Sequence, residues 1–494
     1  MKLVQGVLIP LLLTNIAAGR GWVGQGRVHR SNGDSADISQ FMAVDNSGYP
    51  WVCWMRSYQQ DSTARWTRWL GDRWDEDQGM VPNPPSAAFV YPHSIVLTDS
   101  RYGWVGLGIQ YEDNTTDMFS TRWNGSAWEP PIQINQPDST EQDFGPAIAF
   151  GGSKLWSVWF GGPTPYPPLY KIYASRWNEE LGQWEPEMEV SEQGNWFPDV
   201  AVDTLGRPHI VWCSVSKYAV YYSYFDGDSW SHPVIIHDTT RLTASPRACP
   251  RIEIDREGML HTCFTGAYRG ASHRDIFYTR NDGSGWDTCQ LVTRDAVYDE
   301  WYSDIAADRP DNVWVVWDRQ GEGPDRFRVY ASRYDGEEWS PEERLDDDTT
   351  SYYDGSPAVV VDSVGNPWVV WNGISYSNGH FDVFYNCYNG LGIAEITPLV
   401  SSKLDLSFKV HSPSDRRIII QYVLPASGYV VIDIYDKLGR WVSRSRWETQ
   451  YSGKHLEVLD LGRNGKGMIA PGLYFCRIRA LGVEEMSSFV LIKP

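Results

Sequence analysis

The sequence predicts an all-β protein: a seven-bladed β-propeller, favoured over six or eight blades, followed by a small β-sandwich. Three observations predict it. A hairpin pattern recurs through residues 20–392, a turn–tryptophan signature follows most copies at a near-constant interval, and the 494-residue composition suits pleated sheets, with 25 Trp, 28 Tyr and 16 Phe beside 44 Gly and 30 Pro. Aromatic and β-branched residues favour pleated surfaces, and Gly and Pro serve the turns between them. Long runs of helix formers at helical spacing are absent.

The clearest hairpin is PAVVVDSVGNPWVVW at residues 357–371, an alternating run to Asp362, a tight turn closed by Gly365, and a second run to Trp371. Further copies occupy residues 41–54, 198–212, 250–264 and 304–317, with weaker ones at 94–108 and 146–159. The Asp opening each turn accepts backbone amide hydrogens, and the Gly accepts a positive φ. A third strand follows, as in KIYASRW ending at Trp177 and RVYASRY ending at Tyr334. Then come Asp or Asn, Gly, two variable residues and Trp: Asn124-Gly125 with Trp128, Asp226-Gly227 with Trp230, Asp282-Gly283 with Trp286 and Asp335-Gly336 with Trp339. Asp-Gly or Asn-Gly between two strands is a strong hairpin signal. Trp74, Trp128, Trp184, Trp230, Trp286 and Trp339 stand 46 to 56 residues apart, close to the period of four-stranded propeller blades. These indoles are expected to pack between neighbouring blades.

The last unit has Ile393 where the pattern wants Trp, whereas GWVGQGRVH from Gly21 matches a fourth strand with no blade of its own. The N-terminal stretch is therefore expected to complete the last blade, closing the ring without a covalent bond and leaving no open edge there.

A net charge of -20 repels nucleic acid and anionic lipid and argues against both as partners. Residues 1–19 read as a signal peptide: Lys2 is the charged start, residues 3–18 are mostly apolar, and Ala17 and Gly19 are small residues before a cleavage point. No later segment is apolar enough to span a bilayer. The expectation is a monomer, secreted or held at the outer cell surface. None of the 7 Cys forms a CxxC pair, so zinc is not expected. Cys249 and Cys263 flank a hairpin and are the candidate disulfide in an exported protein.

Residues 393–404 read as a linker and 405–494 as a separate sandwich of short alternating strands with Gly and Pro turns. Here Tyr422, Leu424 and Pro425 end one strand, Ile434, Tyr435, Asp436, Gly439 and Arg440 mark a strand and turn, and Gly467, Ala470, Pro471, Gly472 and Tyr474 mark a hairpin. This run resembles the C-terminal sorting domain of the type IX secretion system, and equally the related immunoglobulin-like domain of the flagellar hook-capping protein. It departs from them at Leu459-Asp460-Leu461-Gly462, where the family usually has Trp-Asp-Gly. The resemblance covers most of residues 405–494. It implies an immunoglobulin-like fold, type IX secretion machinery as a partner, and attachment at the cell surface.

Ser332-Arg333-Tyr334-Asp335-Gly336 with Trp339 resembles the Asp-box turn of sialidase-like propellers, except that Asp and Gly are adjacent where the box separates them. The repeats are similar in this loose way to sialidase-like and lectin-like propellers, which implies a ligand face built from loops. Sialidase chemistry needs arginines converging on a carboxylate, a Tyr nucleophile with a Glu, and an Asp acid. The family's early Arg-Ile-Pro motif is missing. Catalytic candidates are Arg56, Arg269, Arg274, Arg319, Asp318, Asp299, Glu300 and Tyr302; ligand-binding candidates are Glu112, Asp143, Tyr268, His273, Tyr352 and Asp354. They follow second strands or precede first strands, where solvated loop residues and turn formers are equally expected. Adjacent carboxylates such as Asp299 and Glu300 suit acid/base work. No G-x-S-x-G, P-loop or H-E-x-x-H motif occurs. No cofactor is expected, with Asp346-Asp347-Asp348 as the one candidate for calcium. A strong repeat without a recognisable catalytic set points to a binding protein for a glycan, peptide or surface polymer. A sialidase-type glycoside hydrolase, a polysaccharide lyase and a structural surface component are the alternatives.

Overall fold

The Asp that opens the repeated turn does the same job in four of the copies. In the computed structural model, Asp362 Oδ1 accepts the backbone N–H groups of Val364 and Asn366. Asp45 serves Ser47 and Tyr49, Asp203 serves Leu205 and Arg207, and Asp255 serves Glu257 and Met259. Gly365, closing one such turn, sits at φ 92°, where a Cβ would be strained. The sequence repeat is thus a repeat of turn chemistry, and each turn sets the register of the two strands it joins.

The structure describes residues 21–389, apart from 30–34, 59–60, 72, 77, 81–86, 99–101, 114, 137–140, 164–169, 193, 246–248, 295–296, 322–326, 348–350 and 377–378, together with strands between 408 and 491. The expected signal peptide and linker lie outside these residues. The chain divides into two units, Met1–Glu395 and Ile396–Pro494.

In the first unit each repeat is an antiparallel sheet, numbered here in chain order with strands given from first to outermost. Sheet one is Ala36–Val44, Pro50–Tyr58, Asp61–Arg68 and Gln78–Gly79; sheet two is Ala87–Leu97, Gly103–Tyr111, Thr116–Trp123 and Ile132–Gln133. Sheet three is Glu141–Gly151, Lys154–Pro163, Lys171–Asn178 and the pieces Gln183–Trp184 and Met188–Glu189, touching sheet two through one parallel pair, Gln142 with Thr116. Sheet four is Asn195–Val202, Pro208–Ser214, Ala219–Tyr224 and Val234–Ile235. Sheet five has a first strand in two pieces, Leu242–Ala244 and Arg251–Ile254, then Leu260–Tyr268, Asp275–Asn281 and Gln290–Leu291. Sheet six is Glu300–Arg309, Asn312–Gln320, Phe327–Tyr334 and Glu343–Arg344; sheet seven is Ser351–Val361, Pro367–Ser375 and Phe381–Asn389, with Gly21–Trp22 and Gly26–His29 as its outermost pieces.

The repeated Trp packs as expected, always on the preceding sheet. Trp128 meets Trp66, Trp184 meets Trp104, Trp230 meets Trp156, Trp286 meets Tyr222 and Trp339 meets Tyr278, with ring centroids 5.0–6.3 Å apart. Trp74 closes the cycle against Tyr385 of sheet seven at 5.4 Å. Trp22 supplies the indole that sheet seven lacks and meets Trp314 at 5.6 Å. All of these pairs are edge-on, a geometry worth about 0.5–1.5 kcal/mol each beyond area burial. Ring closure follows the expected route: Trp22 pairs with Tyr388, and Gly26 with Tyr385, along the outer edge of the last sheet. Sheets four and five replace the second-strand indole by His209 and His261. Each His bonds a phenol on the next strand, Tyr222 at 2.7 Å and Tyr278 at 2.8 Å, and faces Asp203 or Asp255.

Near the other end, an aromatic of the second strand stacks on its cross-strand partner: Trp159 on Tyr173, Trp212 on Tyr221, Phe264 on Phe277, Trp317 on Tyr330 and Trp371 on Phe384. These stacks fill the sheets between the two ends.

None of the seven cysteines forms a disulfide, which corrects the expected Cys249–Cys263 bridge. Cys263 is buried and donates weakly to Ser303 Oγ at 3.5 Å; Cys249 sits before the second piece of its strand with φ 40°. In the second unit the described strands form two antiparallel sheets. One is Phe408–His411, Arg417–Leu424 and Gly453–Asp460; the other is Trp441–Gln450, Gly428–Asp436, Gly472–Ala480 and Val483–Leu491. Val430, Ile432, Ile434, Cys476 and Ile478 are fully buried on the second of these. Pro425, Gly439, Arg440, Gly467, Ala470 and Pro471 of the resemblance lie outside the described residues.

Candidate ligand-binding site

The first strand of most sheets breaks register near the end opposite the Asp turn. The shifts fall between Ile38 and Phe41, Phe144 and Ala147, Trp196 and Asp199, Trp301 and Asp304, and Gly355 and Ala358. A bulge residue at each takes a left-handed φ: Ser39, Gly145, Phe197, Tyr302 and Ser356, between 36° and 64°. Two residues earlier stands a buried polar group, namely Asp37, Asp143, Asn195, Glu300 or Asp354.

That arrangement corrects the reading of several candidates as loop residues. The second strands run two to four residues past their inner aromatic and the first strands begin correspondingly early, so Arg56, Asp143, Glu300, Asp318, Arg319 and Asp354 lie inside strands. Arg56 forks onto buried Asp37 at 2.8 and 3.0 Å. Asp143 accepts from Asn135 at 2.8 Å. Arg319 joins Glu300 at 2.6 Å and Glu342 at 2.8 Å, with its guanidinium 4.2 Å from the Tyr330 ring. Burial pushes Glu300 up to about 8 even so, and its Oε2 has no partner among the described residues. Asp354 accepts from Ser351 at 2.7 Å and from the Trp371 indole at 2.8 Å, and burial, then Asp346, raise it to about 7. These groups stitch strand ends together, as buried polar groups must.

The remaining candidates gather on sheets five to seven. Arg274 is held by Asp299, its N–H on Oδ1 at 2.8 Å and Nη1 on Oδ2 at 3.2 Å, and lies 4.2 Å over the Trp301 ring. Trp301 pairs across the sheet with Asp318 and stands 6.4 Å from Tyr302, which is 42% exposed. Asp318 is 1% exposed. Its Oδ2 accepts the Ser356 N–H at 2.8 Å, while Oδ1 has no partner among the described residues. Burial pushes it up to about 7, with the Ser356 bond opposing. Tyr353 is raised to about 12, by burial first and then by Asp318, Tyr302 and Asp354. Tyr352 is exposed and meets exposed Tyr376 at 5.4 Å. An unpartnered buried acid and an exposed aromatic on a left-handed bulge thus sit side by side, and both are unfavourable for folding alone. Such coincidences are where function is sought.

Elsewhere the candidates separate. Tyr268 borders a cavity of about 450 Å³ with Ile235, Trp286 and Arg241, and neighbouring Arg269 donates to the Thr239 carbonyl at 2.8 Å. His273 faces Asp275 at 3.7 Å. Glu112 is exposed in the turn of sheet two, far along the ring. Asp346 is taken by Arg344 at 2.6 Å and by the Val329 N–H at 2.8 Å, which spends its carboxylate on the protein rather than on calcium. Asp347 gives its N–H to Gln25 at 2.7 Å, and Asp348 lies outside the described residues. Among the described residues no group of three His, Cys, Asp or Glu could hold a metal ion.

Sequence reasoning missed Trp301 and Tyr353, and also a charged layer in the central channel. There Arg251 lies between Asp199 at 3.8 Å and Asp304 at 3.6 Å. Asp199 and Asp304 also accept backbone N–H groups of Ile252 and Val359 on the next sheet, both latches between neighbours. The channel below encloses about 360 Å³ lined by first strands, with Glu253 raised to about 8 by burial and then by Asp199 and Asp304. A signal was available: these charges occupy the hairpin place that Phe41, Ser94, Ala147 and Ala358 fill in other copies.

No family model and no curated protein matches the sequence. Solved structures do. A PL25 ulvan lyase is 8% identical with a TM-score of 0.50, over 71% of this chain and 94% of that one. A protein of unknown function from Dyadobacter fermentans is 12% identical at TM-score 0.45, over 75% and 99%; a Hadza microbial sialidase is 14% identical at 0.38, over 68% and 75%. What the ulvan lyase, at TM-score 0.50, shares with this chain is the all-β propeller fold of antiparallel sheets, and a fold assigns no activity.

Proposed function

We propose that this chain is an exported carbohydrate-binding protein. Its first unit is a seven-bladed propeller, and its ligand lies across the loop end of blades five to seven. Residues 1–19 direct export. Residues 405–494 form an immunoglobulin-like domain that serves type IX sorting and leaves the protein secreted or on the outer cell surface. One observation carries the reading: Trp301 pairs across the sheet with Asp318, whose Oδ1 has no partner among the described residues, and exposed Tyr302 lies 6.4 Å from the Trp301 ring, aromatic surface beside a buried acid. Aromatic faces stack on sugar rings, and a few polar groups fix orientation. Speaking against a sialidase-type site, the guanidinium groups of Arg56, Arg274 and Arg319 are each held by protein carboxylates. None is left poised for a substrate carboxylate.

The test is retention of the mature protein on a panel of immobilised polysaccharides, with Tyr302→Ala as control, beside fluorogenic sialoside and lyase assays. Retention lost in the variant, with no turnover, is expected. Turnover of either substrate overturns the binding-protein reading, and absence of retention on every polysaccharide overturns the carbohydrate reading.

A further inference from the structure

We infer that the central channel is a second binding site, independent of the loop end, and that it takes an aliphatic primary amine whose ammonium pairs with Glu253. The channel encloses about 360 Å³. Small-molecule sites commonly measure about 300–1,000 Å³. Its wall is built from the first strands, which contribute one residue each at successive levels. One level consists of the residues that pair across the sheet with the repeated Trp or His of the second strand. They are Ala43, Val96, Ala149, Ala201, Ala306 and Val360, with Glu253 opposite His261. All seven are described and all line the channel, so Glu253 is the one ionisable group in a ring of small apolar side chains. Six sheets manage without an acid there, and the fold does not require this one. Among the described residues Glu253 forms no ion pair, and the nearest level of charge spends its cation elsewhere, with Arg251 on Asp199 and Asp304.

The charges along the channel favour a cation. Asp199, Asp304 and Arg251 stand two residues from Glu253 toward the loop end, so three carboxyls share one guanidinium. His93 adds no charge near neutral pH, because burial and then Arg251 hold it down to about 4. Burial, then Asp199 and Asp304, push Glu253 up to about 8, as happens to an acid without a counter-ion. The acid is also within reach. Glu253 is half-buried, and the level beyond it toward the turn end lines the same cavity through Val44, Leu97, Phe150, Val202, Ile254 and Val361. Phe150 at that mouth is 37% exposed. From Glu253 to the turn at Asp255 is two residues, about 7 Å of strand. Aliphatic side chains and one Phe wall that stretch, which suits an alkyl tail and offers a sugar no hydrogen-bonding side chain. An ammonium is compact and brings three donors, one for Glu253 and two for carbonyls that edge strands leave unpaired. Most first strands are such edges. A carboxylate ligand would meet three acids, and a neutral alcohol would leave their excess charge in place.

Calorimetric titration of the full chain with hexylamine, hexanol and hexanoate, near pH 8, tests this. Hexylamine is expected to bind about tenfold more tightly than hexanol, the size of one hydrogen bond to a charged group, and hexanoate more weakly than either. Glu253→Gln keeps the shape and removes the charge. It should bring hexylamine to within about threefold of hexanol. The same variant relieves an unpaired acid, so it is expected to fold at least as stably as wild type. Hexylamine should raise the melting midpoint of wild type, since it binds the native state alone, and leave that of Glu253→Gln where it was. Ala149→Leu narrows the channel at the same level without touching the charge and should weaken amine and alcohol together. If that variant does not fold, Glu253→Gln decides alone. Equal affinities for amine and alcohol, a preference that survives in Glu253→Gln, or no binding of hexylamine overturns the inference. The loop-end reading stands or falls separately, on the polysaccharide panel.

Discussion

At the turn end of sheet six, Asn312 Nδ2 donates to Asp308 at 2.6 Å and to the Gly365 carbonyl of sheet seven at 2.9 Å, while its Oδ1 accepts from Trp314 and Arg333. At the loop end of the same sheet, Asp318 Oδ1 has no partner among the described residues, and Tyr302 is held at φ 36° and is 42% exposed. The turn end repeats one local scheme of hydrogen bonds from sheet to sheet. The other breaks two local rules close together, at Asp318 and at Tyr302, which follows its cross-strand partner Trp301. Stability is concentrated where the repeat is regular, and ligand contact is expected where regularity is given up.

The comparison is sharpest if one substitution at each end moves a different observable. Trp156 is 1% exposed, packs on Phe225 and Trp230 of the next sheet, and donates to the Gly206 carbonyl at 3.1 Å. Trp156→Ala should cost about 3–5 kcal/mol in denaturant unfolding and leave ligand affinity of the folded protein unchanged. Tyr302→Ala should cost under about 1 kcal/mol, since an exposed ring on a bulge contributes little packing, and should abolish retention on the bound polysaccharide. A matched loss of stability at both ends would erase the distinction.

Asp318 gives the next largest effect, and it depends on pH. Its native carboxyl keeps a proton up to about pH 7, whereas an unfolded Asp releases it near pH 4. Across that window the native state binds more protons than the unfolded state, so this group's contribution to stability falls as pH rises through it. Asp318→Asn has no proton to lose. The variant should be more stable than wild type above pH 7 by about 1–3 kcal/mol, and close to it at pH 4, in unfolding titrations run at both values. Equal stability curves at every pH would mean that the acid is already compensated.

The two ends also differed in how far the sequence revealed them. Turns are local: Asp362 and Gly365 lie three residues apart, and their roles follow from φ and from amides a few positions away. The regular Trp and the missing one at Ile393 were legible for the same reason, and they led to Trp22. The loop end depends on partners 35 to 60 residues away in other sheets, such as Asp318 with Ser356 or Asp304 with Val359. A run ending at Trp317 gave no sign that the strand continues to Gln320, so Asp318 and Arg319 read as solvated. Tyr302 was legible as a candidate, but the bulge that exposes it was not, because five sheets place Ser, Gly, Phe or Tyr there without a common side chain.

That bulge allows the smallest and most discriminating test. A non-glycine residue in the left-handed region costs of order 1 kcal/mol, and glycine removes the cost. If Tyr302 served folding, Tyr302→Gly would lose ring contacts and destabilise the chain despite the relief. Among the described residues the ring meets Trp301 at 6.4 Å, and the equivalent place in sheet three is already Gly145. Tyr302→Gly should therefore unfold at the same denaturant concentration as wild type or slightly higher, by up to about 1 kcal/mol, and still lose the ligand. Strain kept at a site that does not need it for folding is then assigned to binding. Destabilisation by more than about 1 kcal/mol would return Tyr302 to the packing of the sheet and dissolve the contrast between the two ends.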